Sequence, residues 1–96
     1  MNILFHVSTP GGSALLLPLA QAAQRAGTSF AAFFTHEGVL GLKTEALVSA
    51  LKLAERAVVC EESWHRFCPS LDCPVEYGSQ TINSGLMAKA VRVVAL

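Results

Sequence analysis

Short apolar runs alternate with stretches of helical or loop character along the whole chain, and this alternation restricts the fold more than any other feature. Runs that are apolar at nearly every position are typical of strands buried on both faces, as in parallel sheets. Strands that alternate with helices are typical of α/β domains. The sequence therefore predicts an α/β fold, a small three-layer domain in which a mostly parallel sheet is flanked by helices. The predicted strands are 2–7, 29–34, 56–60, 75–77 and 91–96.

Helices are predicted between these runs. The first is expected to begin a residue or two after Ala14, because Pro18 is best tolerated in a first turn, and to end before Gly27. Its predicted apolar face comprises Leu15, Leu16, Leu19, Ala22, Ala23 and Ala26. The other predicted helices are one capped by Thr44, one over 61–67 and one over 85–90 after a cap-like Asn83.

Composition and charge argue against several classes of partner. The 96 residues suit one domain, 1–96, and are 52% hydrophobic but 15% charged, which predicts that apolar surface is buried in an oligomer. A net charge of zero and the lack of a Lys/Arg run argue against a nucleic-acid partner and a membrane surface. The longest apolar stretch, 14–20, is too short to span a bilayer. An odd count of three cysteines and no recognisable signal peptide indicate a reducing cytoplasm.

Two loops at predicted carboxyl ends of strands carry weak signals for binding or acid–base chemistry. Such ends form the functional crevice of open parallel sheets. The segment 8–13 could wrap an anion at a helix start, but it lacks the glycine spacing of a nucleotide-binding loop, so a plain turn is expected. His36 and Glu37 are a possible acid/base pair, although adjacent residues in an exposed turn are more often just solvated.

Cys60 ends the third apolar run, directly before a predicted helix. The unpaired N–H groups and the dipole of a helix start stabilise a thiolate, which is the nucleophilic form of cysteine. A free cysteine is also among the most buried residue types and often acts as a small hydrophobic residue. Position alone therefore leaves a reactive thiol and a packing residue as open alternatives.

The segment 58–67 combines an apolar strand that ends in Cys60 with a small residue, Ser63, three positions on and Arg66 six positions on. This pattern resembles the cysteine motif of the DsrE/TusD-like (DsrE/F) family of sulfur-relay proteins. Later segments resemble the end of the family's chain in the same order, namely 75–78, 85–86 and 91–96.

The resemblance implies a persulfide carrier. Members of the family accept a sulfane sulfur on the strand-end cysteine and pass it to a cysteine of a partner protein, so Cys60 would be the catalytic thiol of a sulfurtransferase-like carrier without a cofactor. The implied partners are donor and acceptor proteins, and the implied assembly is a homomeric or heteromeric trimer or hexamer. Several members are non-catalytic subunits, so an assembly role with Cys60 as a packing residue is the alternative.

Side chains close to Cys60 in sequence are expected to tune its charge. Glu61 and Glu62 disfavour a thiolate, whereas His65 and Arg66 would offset them. Ser63 is the third candidate tuning residue, from its place in the motif.

Cys68 and Cys73 have three possible roles. Either could resolve a Cys60 persulfide or sulfenic acid as a disulfide. Together with Cys60 and His65 they are also four soft ligands, enough in type for zinc or an iron–sulfur cluster, although no standard spacing is present. The remaining alternative is that both lie in a loop without a further role.

Overall fold

A sheet of five strands forms the centre of the molecule. The computed structural model describes all of residues 1–96. Its strands are β1 (Ile3–Val7), β2 (Phe30–Phe34), β3 (Ala57–Cys60), β4 (Glu76–Gly78) and β5 (Arg92–Ala95). They lie in the order β4-β3-β2-β1-β5, and every pair is parallel. The central β2 is buried at every position, as its uninterrupted apolar sequence predicts.

Helices cover the two faces of the sheet unequally. They are α1 (Pro10–Arg25), a 3-10 helix (His36–Lys43), α2 (Glu45–Leu51), α3 (Glu61–Phe67) and α4 (Gln80–Lys89). The connections from β1 to β4 cross the sheet in one direction, so right-handed crossovers place every helix before α4 on one face. The return from β4 to β5 runs the other way and puts α4 alone on the opposite face. The α/β fold with flanking helices is thus confirmed, and the sheet is wholly parallel.

The two faces bury cores of different size. Between the sheet and α1 to α3 lies a cluster of 15 buried residues that includes Trp64, which is 1% exposed. Between the sheet and α4 lies a smaller cluster of six, namely Leu4, Ala31, Phe33, Val58, Cys60 and Leu86. Alternation along β3 explains the division, since Val59 belongs to the first cluster and Val58 and Cys60 to the second.

The first helix begins earlier than the sequence predicts. It starts at Pro10, so Pro18 lies inside it rather than in a first turn. Pro18 and Ala14 are both exposed, so water can bond the Ala14 carbonyl that the proline leaves without a donor. Leu15 and Leu19 are 57% and 39% exposed, so the predicted apolar face is partly wrong. The buried stripe runs through Gly12, Ser13, Leu16, Ala20 and Ala23. Although α1 is the longest helix, neither it nor any other is long and apolar enough to cross a bilayer.

Two more elements differ from prediction. The last helix begins at Gln80, where the Ser79 hydroxyl accepts the N–H of Ile82 at 3.5 Å, so Asn83 is a buried residue of the helix and not its cap. The segment after β2, expected to be a loop, forms the 3-10 helix. Gly38 allows this helix to lie against the end of β1, because a Cβ there would meet the Val7 carbonyl oxygen at 2.5 Å.

Candidate functional site

Cys60 is the last residue of β3 and lies at the carboxyl edge of the sheet, as predicted. Its backbone is the N-cap of α3, and its side chain makes no capping hydrogen bond. The side chain points to the α4 face, packs in the smaller core cluster and is 8% exposed. The thiol is therefore held in place by apolar neighbours, with a small part of its surface open.

The open part of Cys60 faces a cleft of about 430 Å³ between the start of α3 and the start of α4. The cleft is lined by Cys60, Glu61, Glu62, His65, Gly78, Ser79 and Gln80. The carboxylate of Glu61 lies 3.5 Å from the His65 imidazole, one helical turn apart, and both side chains are more than half exposed. Two carboxylates and one imidazole give the cleft acidic character, so it is not the electropositive pocket that most favours a thiolate.

Arg66 does not join this cleft. Its guanidinium lies over the ring of Phe67, 5.1 Å from the ring centre, and the residue is not part of the lining. Of the predicted tuning residues, His65 is therefore the one cation-forming side chain that the structure brings to the cleft. Its ring also contacts Tyr77, with ring centres 5.4 Å apart.

Ser63 is buried and hydrogen-bonds to the segment that directly follows β2. Its hydroxyl accepts the backbone N–H of His36 at 2.9 Å and lies 3.5 Å from the Thr35 hydroxyl. His36 has a positive φ of 49°, an unusual backbone for a residue other than glycine. A small hydroxyl side chain in the first turn of α3 thus fixes the chain where it leaves β2.

Cys68 and Cys73 lie away from Cys60. Both pack against the larger core cluster on the α3 side of the sheet, whereas Cys60 lies in the α4 cluster. Burial raises the pKa of each of the two thiols, and Cys73 donates to the Val75 carbonyl at 3.1 Å. Neither lines the cleft of Cys60. No three His, Cys, Asp or Glu side chains come close enough to hold a metal ion, so the suggested four-ligand set does not form.

The structure also describes the two segments that carried weaker signals, residues 8–13 and the pair His36 and Glu37. The Thr9 hydroxyl accepts the N–H of Gly12 at 2.9 Å, and Gly12 lies so close to Leu96 that a Cβ would collide with it. Residues 10–13 are therefore the first turn of α1, with Thr9 as its N-cap, rather than the plain turn that was expected. His36 and Glu37 are both exposed, and no ion pair or hydrogen bond joins their side chains.

His6 is a titratable residue that sequence reasoning missed. It lies on β1 with its ring stacked on Phe33, the ring centres 5.9 Å apart. Burial lowers its pKa, and the charge of His36 lowers it further. The sequence could have indicated that His6 is partly buried, because His6 follows Leu4 by two positions and so lies on the same face of a predicted strand.

No protein-family model matches the chain, and a search of curated proteins finds none similar to it. The fold and the cleft themselves define the class: a parallel α/β protein with a cysteine at the carboxyl end of an inner strand.

Proposed function

We propose that the protein carries a persulfide on Cys60 and passes its outer sulfur between partner proteins. The observation that carries the proposal is that Cys60 alone of the three cysteines lines a cleft at the carboxyl edge of the sheet. Parallel α/β proteins bind their ligands at this edge. The order of the cysteine motif and the later segments, which resembles that of the DsrE/TusD-like family, supports the same function.

The transfer needs no cofactor. The Cys60 thiolate attacks the outer sulfur of a donor persulfide; a new S–S bond forms, the donor's S–S bond breaks, and the donor leaves as a thiolate. An acceptor thiolate then attacks the outer sulfur of the Cys60 persulfide and releases Cys60 as a thiolate. Each step exchanges one S–S bond for another, so no net oxidant or reductant is consumed. Reduced thiols suit a cytoplasmic location for such a carrier.

The charged side chains of the cleft affect the anionic form of Cys60. Glu61 and Glu62 repel negative charge on Cys60, and His65, beside Glu61, is the side chain that can offset them when protonated. The sulfur atom that the persulfide adds would extend from the nearly buried thiol into the cleft, where a partner's cysteine can reach it.

The test is mass spectrometry after incubation with a polysulfide. Trypsin cuts after Arg56 and Arg66 and so releases Cys60 on the peptide 57–66, separate from the other cysteines. We expect a gain of about 32 Da on this peptide that a reductant removes and that Cys60→Ser abolishes. Glu62→Gln is expected to increase the yield by removing a repelling charge. An unmodified peptide 57–66 would refute the carrier.

An assembly subunit is the second candidate, favoured by the 8% exposure of Cys60 and by exposed apolar side chains in the last part of the chain. These are Met87, Val91 and Val93, which are 39%, 76% and 45% exposed. A trimer or hexamer would cover them. We expect Val93→Asp to dissociate such an oligomer in sedimentation, whereas Leu15→Asp, on the exposed side of α1, leaves its mass unchanged. A wild-type monomer at all concentrations would exclude this role.

A further inference from the structure

Glu61 and His65 form a close pair on the wall of the cleft into which Cys60 opens. A carboxylate oxygen of Glu61 lies 3.5 Å from Nε2 of the His65 ring, and the two residues are one turn apart on α3. Cys60, directly before this helix, lines the same cleft of about 430 Å³. A carboxylate, an imidazole and a thiol thus surround one space.

The contact with Glu61 decides which ring nitrogen of His65 can act as a base. Because a carboxylate accepts hydrogen bonds and cannot donate them, the Nε2 that faces Glu61 carries the hydrogen of the neutral ring. The lone pair of the other nitrogen, Nδ1, is then free to take a proton. The ring of Tyr77 lies beside the imidazole, with the ring centres 5.4 Å apart, and restricts its rotation.

The exposure of the two side chains matches His65 with an incoming thiol rather than with Cys60 itself. Cys60 is 8% exposed, whereas the side chain of His65 is 57% exposed. The outer sulfur of a Cys60 persulfide would lie one S–S bond, about 2 Å, farther into the cleft. An acceptor thiol has to approach that sulfur from the open side of the cleft, where the His65 ring is exposed.

The charge of the cleft gives such an acceptor a need for a base. The other titratable groups that face His65 are Glu61 and Glu62 of its own helix, Cys60 of β3 and Tyr77 of β4. The two carboxylates repel an acceptor that arrives as a thiolate. The acceptor therefore enters more easily as a neutral thiol, which has to lose its proton inside the cleft.

We propose that His65 is the general base of sulfur transfer and that Glu61 is its positioning residue, a role that rests on the proposed persulfide carrier. Nδ1 of His65 takes the proton of the acceptor thiol, and the thiolate attacks the outer sulfur of the Cys60 persulfide. The acceptor's new S–S bond forms, the S–S bond to Cys60 breaks, and Cys60 leaves as a thiolate. His65 returns the proton to Cys60, so no oxidant or reductant is consumed. Glu61 stabilises the imidazolium while it holds the proton.

Transfer rates from the loaded protein test the base. Cys60 is loaded with polysulfide, and the loss of the added mass of about 32 Da from peptide 57–66 is followed after mixing with N-acetylcysteine or a water-soluble triarylphosphine. The phosphine takes up sulfur without losing a proton. We expect His65→Gln to slow transfer to the thiol at pH 7 by about tenfold or more, and transfer to the phosphine by less than about twofold.

Substitution of the two carboxylates distinguishes positioning from charge. Glu62 lines the same cleft and makes no ion pair, so Glu62→Gln is the matched control for Glu61→Gln. If Glu61 positions His65, Glu61→Gln slows transfer to the thiol by about threefold or more, and Glu61→Asp restores part of the rate. Glu62→Gln does not slow it. Faster transfer in both Gln variants would show that the carboxylates act by charge alone and would overturn the positioning role.

The loading step separates failure of this role from failure of the carrier. If Cys60 of the His65→Gln variant loads normally and transfers sulfur to the thiol as fast as the wild type, His65 is not the base and the carrier stands. If Cys60 does not load, the carrier is refuted and this role with it. The wild-type rate should also level off while the acceptor thiol, with a pKa of about 8.5 or above, is still mostly protonated. A rate that rises to pH 9 in parallel with that of His65→Gln would show that free thiolate attacks without a base.

Discussion

At the scale of single residues, Ser63→Ala should destabilise the fold. The substitution leaves the N–H of His36 without its partner, at a cost of about 1–3 kcal/mol in the free energy of unfolding. Urea denaturation followed by circular dichroism measures this, with Ser70→Ala, in the exposed part of the α3–β4 loop, as the matched control. Equal midpoints for the two variants would show that the Ser63 hydrogen bond contributes nothing.

The sequence predicted the position of Cys60 but not the role of Ser63. Cys60 lies at the strand end as predicted, because a continuous apolar run followed by polar residues defines a strand end locally. The role of Ser63 could not be predicted, because its partner, the N–H of His36, comes from a segment far away in the chain. The direction of Arg66 likewise depends on the packing of Phe67 and not on the spacing of the motif.

His6 should make the fold sensitive to mild acid. Its pKa is lower in the folded than in the unfolded chain, so the unfolded chain binds more protons as the pH falls below the unfolded value of about 6.5. Its contribution to stability is complete above that pH and is lost as the pH falls through the folded pKa. Denaturation at pH 7 and pH 5 should show a smaller loss for His6→Gln than for the wild type. An equal loss in both would assign the acid sensitivity to other groups.

At the scale of elements, the five strands and the starts of α2 and α3 were predicted correctly, whereas the starts of α1 and α4 were not. Strands are set by runs of apolar residues, which a sequence displays directly. The helix starts at Pro10 and Gln80 depend on caps by Thr9 and Ser79 that compete with other plausible caps nearby. The 3-10 helix depends on the close approach of Gly38 to β1, which no local pattern reveals.

Two glycine substitutions distinguish a glycine that is needed for close backbone contact from one that only lowers the helix propensity of its segment. Gly38→Ala should destabilise by about 1–3 kcal/mol, because its methyl group would meet the backbone of Val7 and Ser8. Gly85→Ala, inside α4 with open space around it, should instead stabilise by about 0.5–1 kcal/mol. Thermal unfolding of both variants beside the wild type checks the opposite signs. A stable Gly38→Ala would mean that the 3-10 helix can move away from β1.

At the scale of the whole molecule, the two layers on the sheet differ in what they bury. One cluster holds 15 buried residues and the other six. The α4 layer also contains a buried polar atom, the Asn83 side-chain oxygen, that has no hydrogen-bond partner. The class of fold followed from the sequence, but this imbalance did not, because it depends on the direction of the last crossover.

Hydrogen exchange should show that the α4 layer opens more often than the centre of the sheet. Amide protons of α4 should exchange faster than those of β2, because fewer buried contacts hold α4 and regions of low contact open without global unfolding. Exchange followed by mass spectrometry of peptic fragments measures the order. Equal protection of α4 and β2 would show that the two layers open together.

Because only a thin layer covers Cys60, the accessibility of its thiol depends on how often that layer opens. Cys60 is 8% exposed, and it belongs to the cluster that α4 covers. If α4 lifts in rare fluctuations, a bulky reagent reaches Cys60 only during those moments, and its rate reports how often the helix departs. A partner that binds α4 and displaces it would then expose Cys60 fully, whereas small molecules reach the open part of the thiol through its cleft at all times.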